Sequence, residues 1–164
     1  MTKPKLIVFE GIDFSGKSTM ARWLVSKLQE QGIFTVYAYE PTDGFIGTHI
    51  RQILRKEIPA PDRQTMAVLF AADRYIDCQS IQGMLDSGVT VVLDRYIFST
   101  LAYNCETPQE MTAVIDMHGG FYIVPDVVFW LYMNPEKSLE RKGKNPAELF
   151  ETVEYLKKVD QRYE

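Results

Sequence analysis

Short apolar runs alternate along the chain with longer stretches in which apolar side chains recur every three or four residues. The short runs predict strands, and they lie at 6–9, 33–39, 89–93 and 127–132. The first run is apolar at every position, which is typical of a parallel strand covered on both faces. Because strands that alternate with helices form parallel sheets, the pattern predicts an α/β fold with helices on both faces of a central sheet.

Local signals set the ends of the predicted helices. Gly32 ends a helix predicted at 18–31, and Asp62 is a suitable cap for a long helix at 63–86. Thr107 and Glu110 form a capping box that begins a helix ending near residue 117. Further helices are predicted at 46–55, from residue 135 onward, and from the segment 145–148 to the end of the chain.

Length, charge and cysteine content narrow the class of protein. A chain of 164 residues predicts one domain, 1–164. The net charge of −4 provides no general basic surface, so we expect no binding to nucleic acid or to anionic membranes. We also expect no signal peptide and no membrane-spanning segment. Cys78 and Cys105 lack a metal-binding spacing and are interpreted as reduced thiols of a cytoplasmic protein.

Residues 11–18 read G-x-x-x-x-G-K-S and lie between the first predicted strand and a predicted helix. This is the pattern of a phosphate-binding loop, in which glycines allow a tight turn and backbone N–H groups face phosphate oxygens. Lys17 is expected to reach the β- and γ-phosphates, and the Ser18 hydroxyl to bind Mg²⁺. The residues predicted to form this nucleotide site are Gly11, Ile12, Asp13, Phe14, Ser15, Gly16, Lys17, Ser18 and Thr19.

Charged side chains near the loop are candidates for the chemistry. Asp94 ends an apolar strand, where P-loop enzymes place a carboxylate that holds Mg²⁺, although a helix cap is the alternative interpretation. Arg95 is either a surface arginine or a clamp for the transferred phosphoryl group. Asp13, inside the loop, is either a turn-forming residue or a group that contacts Mg²⁺ or a substrate hydroxyl.

Phe70 and Arg74 are four residues apart on the predicted long helix and share one of its faces. They could stack on a base and bond to its edge, whereas a core position is an equally good interpretation for the phenylalanine. Arg51 and Arg55, on the preceding short helix, are interpreted first as solvent-exposed side chains.

Several motifs together resemble those of the thymidylate kinase family. The matching segments occur in the family's order and lie at 9–19, 40–42, 46–51, 69–74 and 94–103. The resemblance implies a three-layer P-loop NTPase-type fold. It also implies a homodimeric cytoplasmic enzyme that transfers the γ-phosphoryl group of ATP, with Mg²⁺, to dTMP.

The resemblance assigns acceptor-binding roles to matching positions. Arg95 and Arg51 would hold the dTMP phosphate. Phe70 would stack on thymine, with Arg74 and Thr100 at the edge of the base.

The remaining implied roles concern the sugar, the adenine and the metal. Asp13 would meet the sugar 3′-hydroxyl of dTMP, Tyr103 would lie under the sugar and disfavour a ribose 2′-hydroxyl, and Arg141 would lie against adenine. The residues implied to act in catalysis are Lys17, Arg95, Asp13 and Arg141, and those implied to hold the metal are Ser18 and Asp94.

The chain departs from the family pattern in three places. The phosphate loop has no basic residue between its two glycines, so catalytic charge would come from a lid near 136–150. Arg141, Lys142 and Lys144 are the candidates, and Ala147-Glu148-Leu149 stands where a second lid arginine is usual. Four strands are readable, and the family's fifth strand and closing helix have no counterpart before Glu164.

The chemistry of a monophosphate acceptor agrees with this interpretation. Its second pKa is near 6, so the attacking phosphate is largely a dianion at pH 7, and cations are needed rather than a general base. Two alternatives stay open: a deoxynucleoside kinase with Glu40 as the base for a 5′-hydroxyl, and a non-catalytic nucleotide-binding module. A GTPase is disfavoured because no N-K-x-D motif follows the fourth predicted strand.

Overall fold

A four-stranded parallel sheet forms the centre of the structure, a computed structural model that describes residues 3–143 and 148–164. Its strands are β1 (Leu6–Glu10), β2 (Thr35–Tyr39), β3 (Thr90–Asp94) and β4 (Val127–Trp130), in the order β2-β3-β1-β4. The register pairs Phe9 with Asp94, so the carboxyl ends of the two central strands lie side by side. The predicted α/β class with a central parallel sheet is confirmed.

Helices cover both faces of the sheet and form the outer layers. They are α1 (Lys17–Glu30), α2 (Phe45–Leu54), α3 (Arg63–Asp86), α4 (Ile97–Asn104), α5 (Pro108–His118), α6 (Pro135–Lys142) and α7 (Val153–Tyr163). Phe9 shares a buried cluster with Ala21 of α1, whereas Val8 shares another with Ile81 of α3. Neighbouring residues of β1 therefore serve opposite layers, as the alternation of a strand requires. None of the helices in the described part of the chain combines the length and apolar character needed to cross a membrane.

Helix α4 is absent from the sequence-based prediction, and its first turn explains why. No side chain at the start of the helix caps it. Instead Glu10, at the end of β1, accepts hydrogen bonds from the backbone N–H of Tyr96 at 2.7 Å and of Ser99 at 3.2 Å. Because this capping carboxylate lies far away in the sequence, the segment carries no local start signal.

The last helix begins later than the sequence predicts. Residues 144–147 lie outside the described part of the chain, but residues 148–152 are not helical and α7 starts only at Val153. The backbone N–H of Leu149 donates to the carbonyl oxygen of Leu54 at 2.9 Å, so a contact with α2 takes the place of helical hydrogen bonds. The hydroxyl of Thr152 then accepts from the backbone N–H of Tyr155 at 3.2 Å and caps α7. The other predicted elements are confirmed with ends within two residues.

Candidate active site

The loop between β1 and α1 adopts a backbone conformation that depends on its glycines. Gly11 has φ of 140° and Gly16 has φ of 99°, in a region that residues with side chains rarely adopt. A Cβ atom on Gly11 would also lie 2.5 Å from the carbonyl oxygen of Leu131. Gly16 is the N-cap of α1, so the free N–H groups of the first helical turn are available to an anion.

Lys17 is the cation at the start of α1. Its side chain is buried, and Nζ donates to the carbonyl oxygen of Ile12 at 2.6 Å. Burial, and then the charge of Arg95, lower the pKa of Lys17 to about 8 against the opposing effect of Asp13. A phosphate beside Nζ would favour its charged form. The side chain of Ile12 packs with Leu156 of α7 and anchors the loop to the core.

Oxygen ligands suited to Mg²⁺ meet at the carboxyl end of β3. The Ser18 hydroxyl donates to the Asp94 carboxylate, and the Tyr37 hydroxyl donates to the same carboxylate at 3.1 Å. Carboxylate and hydroxyl oxygens are the hard ligands that Mg²⁺ prefers, so these residues fit the metal. Tyr96, rather than Asp94, occupies the N-cap position of α4, which removes the alternative role for Asp94.

Arg95 lies between the phosphate loop and α4. Its guanidinium forms an ion pair with Asp13 and donates to the carbonyl oxygen of Gly11 at 3.3 Å and to the Ser99 hydroxyl at 3.0 Å. Its φ of 71° is strained for a residue with a side chain, and such strain clusters at active sites. Burial opposes the charged form, but Asp13 raises the pKa of Arg95 well above its usual value. Arg95 is therefore a fixed cation at the loop.

Asp13 connects the loop to several neighbours. Its carboxylate accepts from the Tyr103 hydroxyl at 2.8 Å in addition to its ion pair with Arg95. Burial would raise the pKa of Asp13, but the charges of Arg95 and Lys17 outweigh burial and lower it. A residue that only formed a turn would not need these contacts with Arg95 and Tyr103.

A cavity and a more open groove meet beside the loop. The groove runs over Lys17 and Ser18, and the cavity has Phe70 in its wall. Asp13 and Arg95 line both spaces. The acceptor residues implied by the resemblance that line the cavity are Asp13, Phe70, Arg74, Arg95, Thr100 and Tyr103. Phe70 also packs against a buried cluster at α2, so it combines a core contact with a cavity surface.

Arg74 is a buried cation in the cavity wall. Its Nε donates to the Glu40 carboxylate at 2.8 Å, its Nη2 donates to the same carboxylate, and Nη2 also donates to the Thr100 hydroxyl at 3.1 Å. Burial raises the pKa of Glu40 to about 7, against the opposing effect of the Arg74 charge. Both oxygens of Glu40 accept hydrogen bonds from Arg74, so the carboxylate is paired with a buried cation.

Three further arginines line the groove, namely Arg22, Arg51 and Arg141. Arg51 donates to the carbonyl oxygen of Pro41, and its buried Nε has no hydrogen-bond partner within residues 3–143 and 148–164. Arg51 can therefore offer a donor to an anion, unlike Arg55, whose side chain is 57% exposed and lines neither space. Arg141, at the end of α6, lines the same groove as Arg51.

The segment predicted as a lid, near 136–150, distributes the charges of its described residues unevenly. Lys142 forms an ion pair with Glu151 at 2.6 Å, and both side chains are nearly buried, so the Lys142 charge is already balanced. Phe150 stacks on Tyr155, with 5.1 Å between ring centroids, and lines the acceptor cavity. Lys144, a predicted lid cation, lies outside the described residues, as does Ala147. Among the described lid residues, Arg141 is the cation that lines the groove.

Asn104 is a cavity residue that the sequence analysis missed. It is 2% exposed, lines the cavity, and neither Oδ1 nor Nδ2 has a partner in the part of the chain that the structure describes. An unpaired buried amide costs stability, which points to a ligand as its partner. Its position four residues after Thr100 on one helix is a signal that could have revealed it. Tyr37 and Phe150 reach the site through tertiary packing and carry no comparable signal.

Known proteins are similar to this chain in sequence and in fold. The family model described as thymidylate kinase matches residues 9–164. Thymidylate kinase from Leptospira borgpetersenii is 39% identical over 165 residues, which cover 98% of this chain and 80% of that protein. Thymidylate kinase from Brachyspira hyodysenteriae is 35% identical over 161 residues, which cover 96% of this chain and 78% of that protein. The solved structure of thymidylate kinase from Candida albicans has a TM-score of 0.82 and 28% identity, and the match covers 98% of this chain and 76% of that chain. Because the family model spans almost the whole sequence and these curated relatives are at least 35% identical over nearly the whole chain, the chain belongs to the thymidylate kinase family.

Proposed function

We propose that this protein transfers the γ-phosphoryl group of MgATP to dTMP and releases ADP and dTDP. One observation carries the proposal: a groove over a phosphate loop meets a cavity with an aromatic wall at Asp13 and Arg95. Two nucleotides bound in these spaces would bring their phosphate groups to the same cation. Such an arrangement suits transfer between nucleotides better than binding of one nucleotide alone.

The cavity has the chemistry to select a pyrimidine deoxynucleotide. Phe70 offers a ring for base stacking, while Arg74, Thr100 and Asn104 offer polar groups to the edge of the base. Tyr103 is held by Asp13 where the sugar of the acceptor would lie, so a ribose 2′-hydroxyl would be crowded there. These contacts support dTMP over a purine or a ribonucleotide.

The charges of the site counter the repulsion between two anionic substrates. Lys17 and Arg95 would stabilise the negative charge that develops on the transferred group, and Arg51 would hold the acceptor phosphate. Ser18 and Asp94 would hold Mg²⁺, which neutralises the donor phosphates when bound.

Neither substrate needs to lose a proton to a protein base. The acceptor phosphate is already largely a dianion at pH 7, so its oxygen can attack directly. Asp13 would position Arg95 and contact the sugar 3′-hydroxyl, while Arg141 would lie against adenine and close on the donor. The engagement of Glu40 by Arg74 argues against transfer to a nucleoside 5′-hydroxyl.

An assay of ADP release across a panel of acceptors tests the proposal. The panel contains dTMP, dUMP, dCMP, UMP, dAMP, dGMP and thymidine, with MgATP as donor. We expect the highest kcat/KM with dTMP and no activity in a Lys17→Met variant measured in parallel. Preferred phosphorylation of thymidine would establish the deoxynucleoside kinase alternative, and no activity with any acceptor would favour the non-catalytic module.

We further propose that the protein is a cytoplasmic homodimer with one domain, 1–164, and a lid near 136–150, and that it binds neither nucleic acid nor membranes. The net charge of −4 supports the last point. Exposed apolar side chains seven and eight residues apart on α3, those of Val68, Tyr75 and Ile76, support a helix-mediated dimer contact. Light scattering in solution measures the oligomeric state directly.

A further inference from the structure

His118, the last residue of α5, is a buried side chain to which the proposed reaction gives no role. It is 1% exposed, and its ring centroid lies 5.1 Å from that of Phe121. Its Nδ1 lies 2.6 Å from the carbonyl oxygen of Val114, and its Nε2 lies 2.9 Å from Nη1 of Arg74. Both separations are hydrogen-bond distances, so the two ring nitrogens are held from opposite sides.

These two contacts determine the protonation of the ring. The carbonyl oxygen of Val114 can only accept, so Nδ1 must carry a hydrogen atom. Arg74 can only donate, so Nε2 must be the bare nitrogen that accepts from it. Only the neutral ring with hydrogen on Nδ1 satisfies both neighbours. Burial lowers the pKa of His118, and the Arg74 charge lowers it further, which agrees with a neutral ring.

His118 completes the set of groups that hold the Arg74 guanidinium. Of the five N–H groups of an arginine, Nε and one on Nη2 donate to Glu40, and the other on Nη2 donates to Thr100. One N–H of Nη1 donates to His118. The second N–H of Nη1 has no assigned partner among the described residues, and Arg74 is part of the cavity wall.

We propose that His118 is a positioning residue for the acceptor base. Its bare Nε2 fixes one N–H of Arg74 Nη1, so that the other N–H is held ready for an acceptor atom of the pyrimidine. Without this contact the guanidinium keeps its charge and its pairing with Glu40, but Nη1 loses its orientation. The inference rests on the proposed function, in which Arg74 faces the base.

Two substitutions of similar size separate hydrogen bonding from packing. His118→Met removes a strong acceptor, whereas His118→Gln can place an amide oxygen near the position of Nε2. We expect His118→Met to raise KM for dTMP about tenfold, the scale of a lost hydrogen bond to a charged group, with kcat and KM for ATP within about twofold of wild type. His118→Gln should restore KM for dTMP to within about threefold.

The exposed histidine of α2 provides a matched control. His49→Met should leave all three kinetic constants unchanged. Equal values of KM for dTMP in His118→Met and His118→Gln would overturn the proposal, because packing alone would then explain the effect. A fall in kcat together with a rise in KM for ATP of similar size would overturn it too, since a general loss of structure would produce that result.

A measurement on the wild-type protein keeps the inference testable if a His118 variant does not fold. In ¹⁵N-histidine NMR at pH 7.5, one of the two histidines should be neutral with hydrogen on Nδ1, and its bare nitrogen should shift with dTMP but not with ADP. The His49→Met protein identifies the remaining signal. A ring with hydrogen on Nε2, or a charged ring, would overturn the proposal.

The kinetic comparison also separates this inference from the proposed function. Failure of wild-type protein to use dTMP in the acceptor panel would count against the proposed function. Normal use of dTMP by both wild type and a folded His118→Met variant would count against the positioning role alone.

Discussion

The groove over the phosphate loop, which is the proposed donor site, and the cavity, which is the proposed acceptor site, are built in different ways. One continuous segment, residues 11–19, offers backbone N–H groups, Lys17 and Ser18 to the groove, and more distant segments supply the rest of its lining. The acceptor cavity takes its wall from the end of β2, from α2, from α3, from α4 and from the segment that follows the lid. The part of the groove at the phosphate loop therefore depends on local backbone conformation, whereas the cavity depends almost entirely on long-range packing.

The two spaces also differ in how their charges are held. Among the described residues, the Lys17 ammonium donates to a backbone carbonyl of its own loop, so its remaining N–H groups are available to a ligand. Arg74 is held by Glu40, Thr100 and His118, so most of its donors are already committed. The groove can attract an anion, while Arg74 leaves one defined N–H for the base. Affinity for phosphate and selection of the base are thus assigned to different parts of the molecule.

Arg95 belongs to both spaces, and its removal should have the largest effect. We expect Arg95→Ala to lower kcat by at least about a hundredfold, because a cation next to the transferred group is lost. Binding of ADP alone and of dTMP alone, measured by calorimetry, should weaken much less than kcat falls. Arg55→Ala replaces an exposed arginine at the end of α2 and is the control, so its kcat and its binding of both ligands should match wild type. An unchanged kcat in Arg95→Ala would remove this residue from catalysis.

The contrast between the two spaces explains what the sequence could predict. The phosphate loop, α1 and the role of Asp94 follow from adjacent residues, and the pairing of β1 with β3 then brings Phe9 beside Asp94. Phe70 and Arg74 could be placed on one helical face, but nothing in their spacing separates a core from a cavity position. The resemblance to a family supplied that distinction.

The parts that the sequence could not predict depend on distant partners. Glu10 caps α4 from the end of another element, so α4 is missed. The predicted start of α7 is wrong because the backbone N–H of Leu149 bonds to the end of α2 instead of continuing a helix. His118 reaches Arg74 only after α3 and α5 have packed together. A local pattern cannot report contacts that exist only in the folded chain.

A substitution of Asn104 should weaken ligand binding in the acceptor cavity and leave binding in the groove unchanged. We expect Asn104→Leu, a substitution of similar shape, to raise KM for dTMP about tenfold and to leave KM for ATP unchanged. The same substitution should raise the melting temperature of the free protein, because it removes a buried amide that lacks partners among the described residues. Steady-state kinetics and thermal unfolding measure both effects. An equal rise in both KM values would contradict the idea that the two spaces bind their ligands independently.

Lys17 allows the converse test, in which a rise in pH weakens ligand binding in the groove alone. Its pKa of about 8 lies below the ordinary value for a lysine, so the free protein loses this charge as the pH rises through 8. A bound triphosphate favours the charged form, so binding should take up a proton, and the affinity should fall as the pH rises. Between pH 7.5 and 8.5 we expect the Kd of MgADP to increase about threefold, as the charged fraction of a group with this pKa falls.

Calorimetry in buffers of different ionisation enthalpy measures this proton uptake, with dTMP binding as the internal control. The acceptor phosphate is a full dianion throughout this range, and Glu40, with a pKa of about 7, is mostly ionised, so dTMP binding should change far less. Equal pH dependence for both ligands would show that the groove and the cavity share one titrating cation. A dependence confined to MgADP would place that cation in the phosphate loop, where burial makes Lys17 responsive to the charge of its ligand.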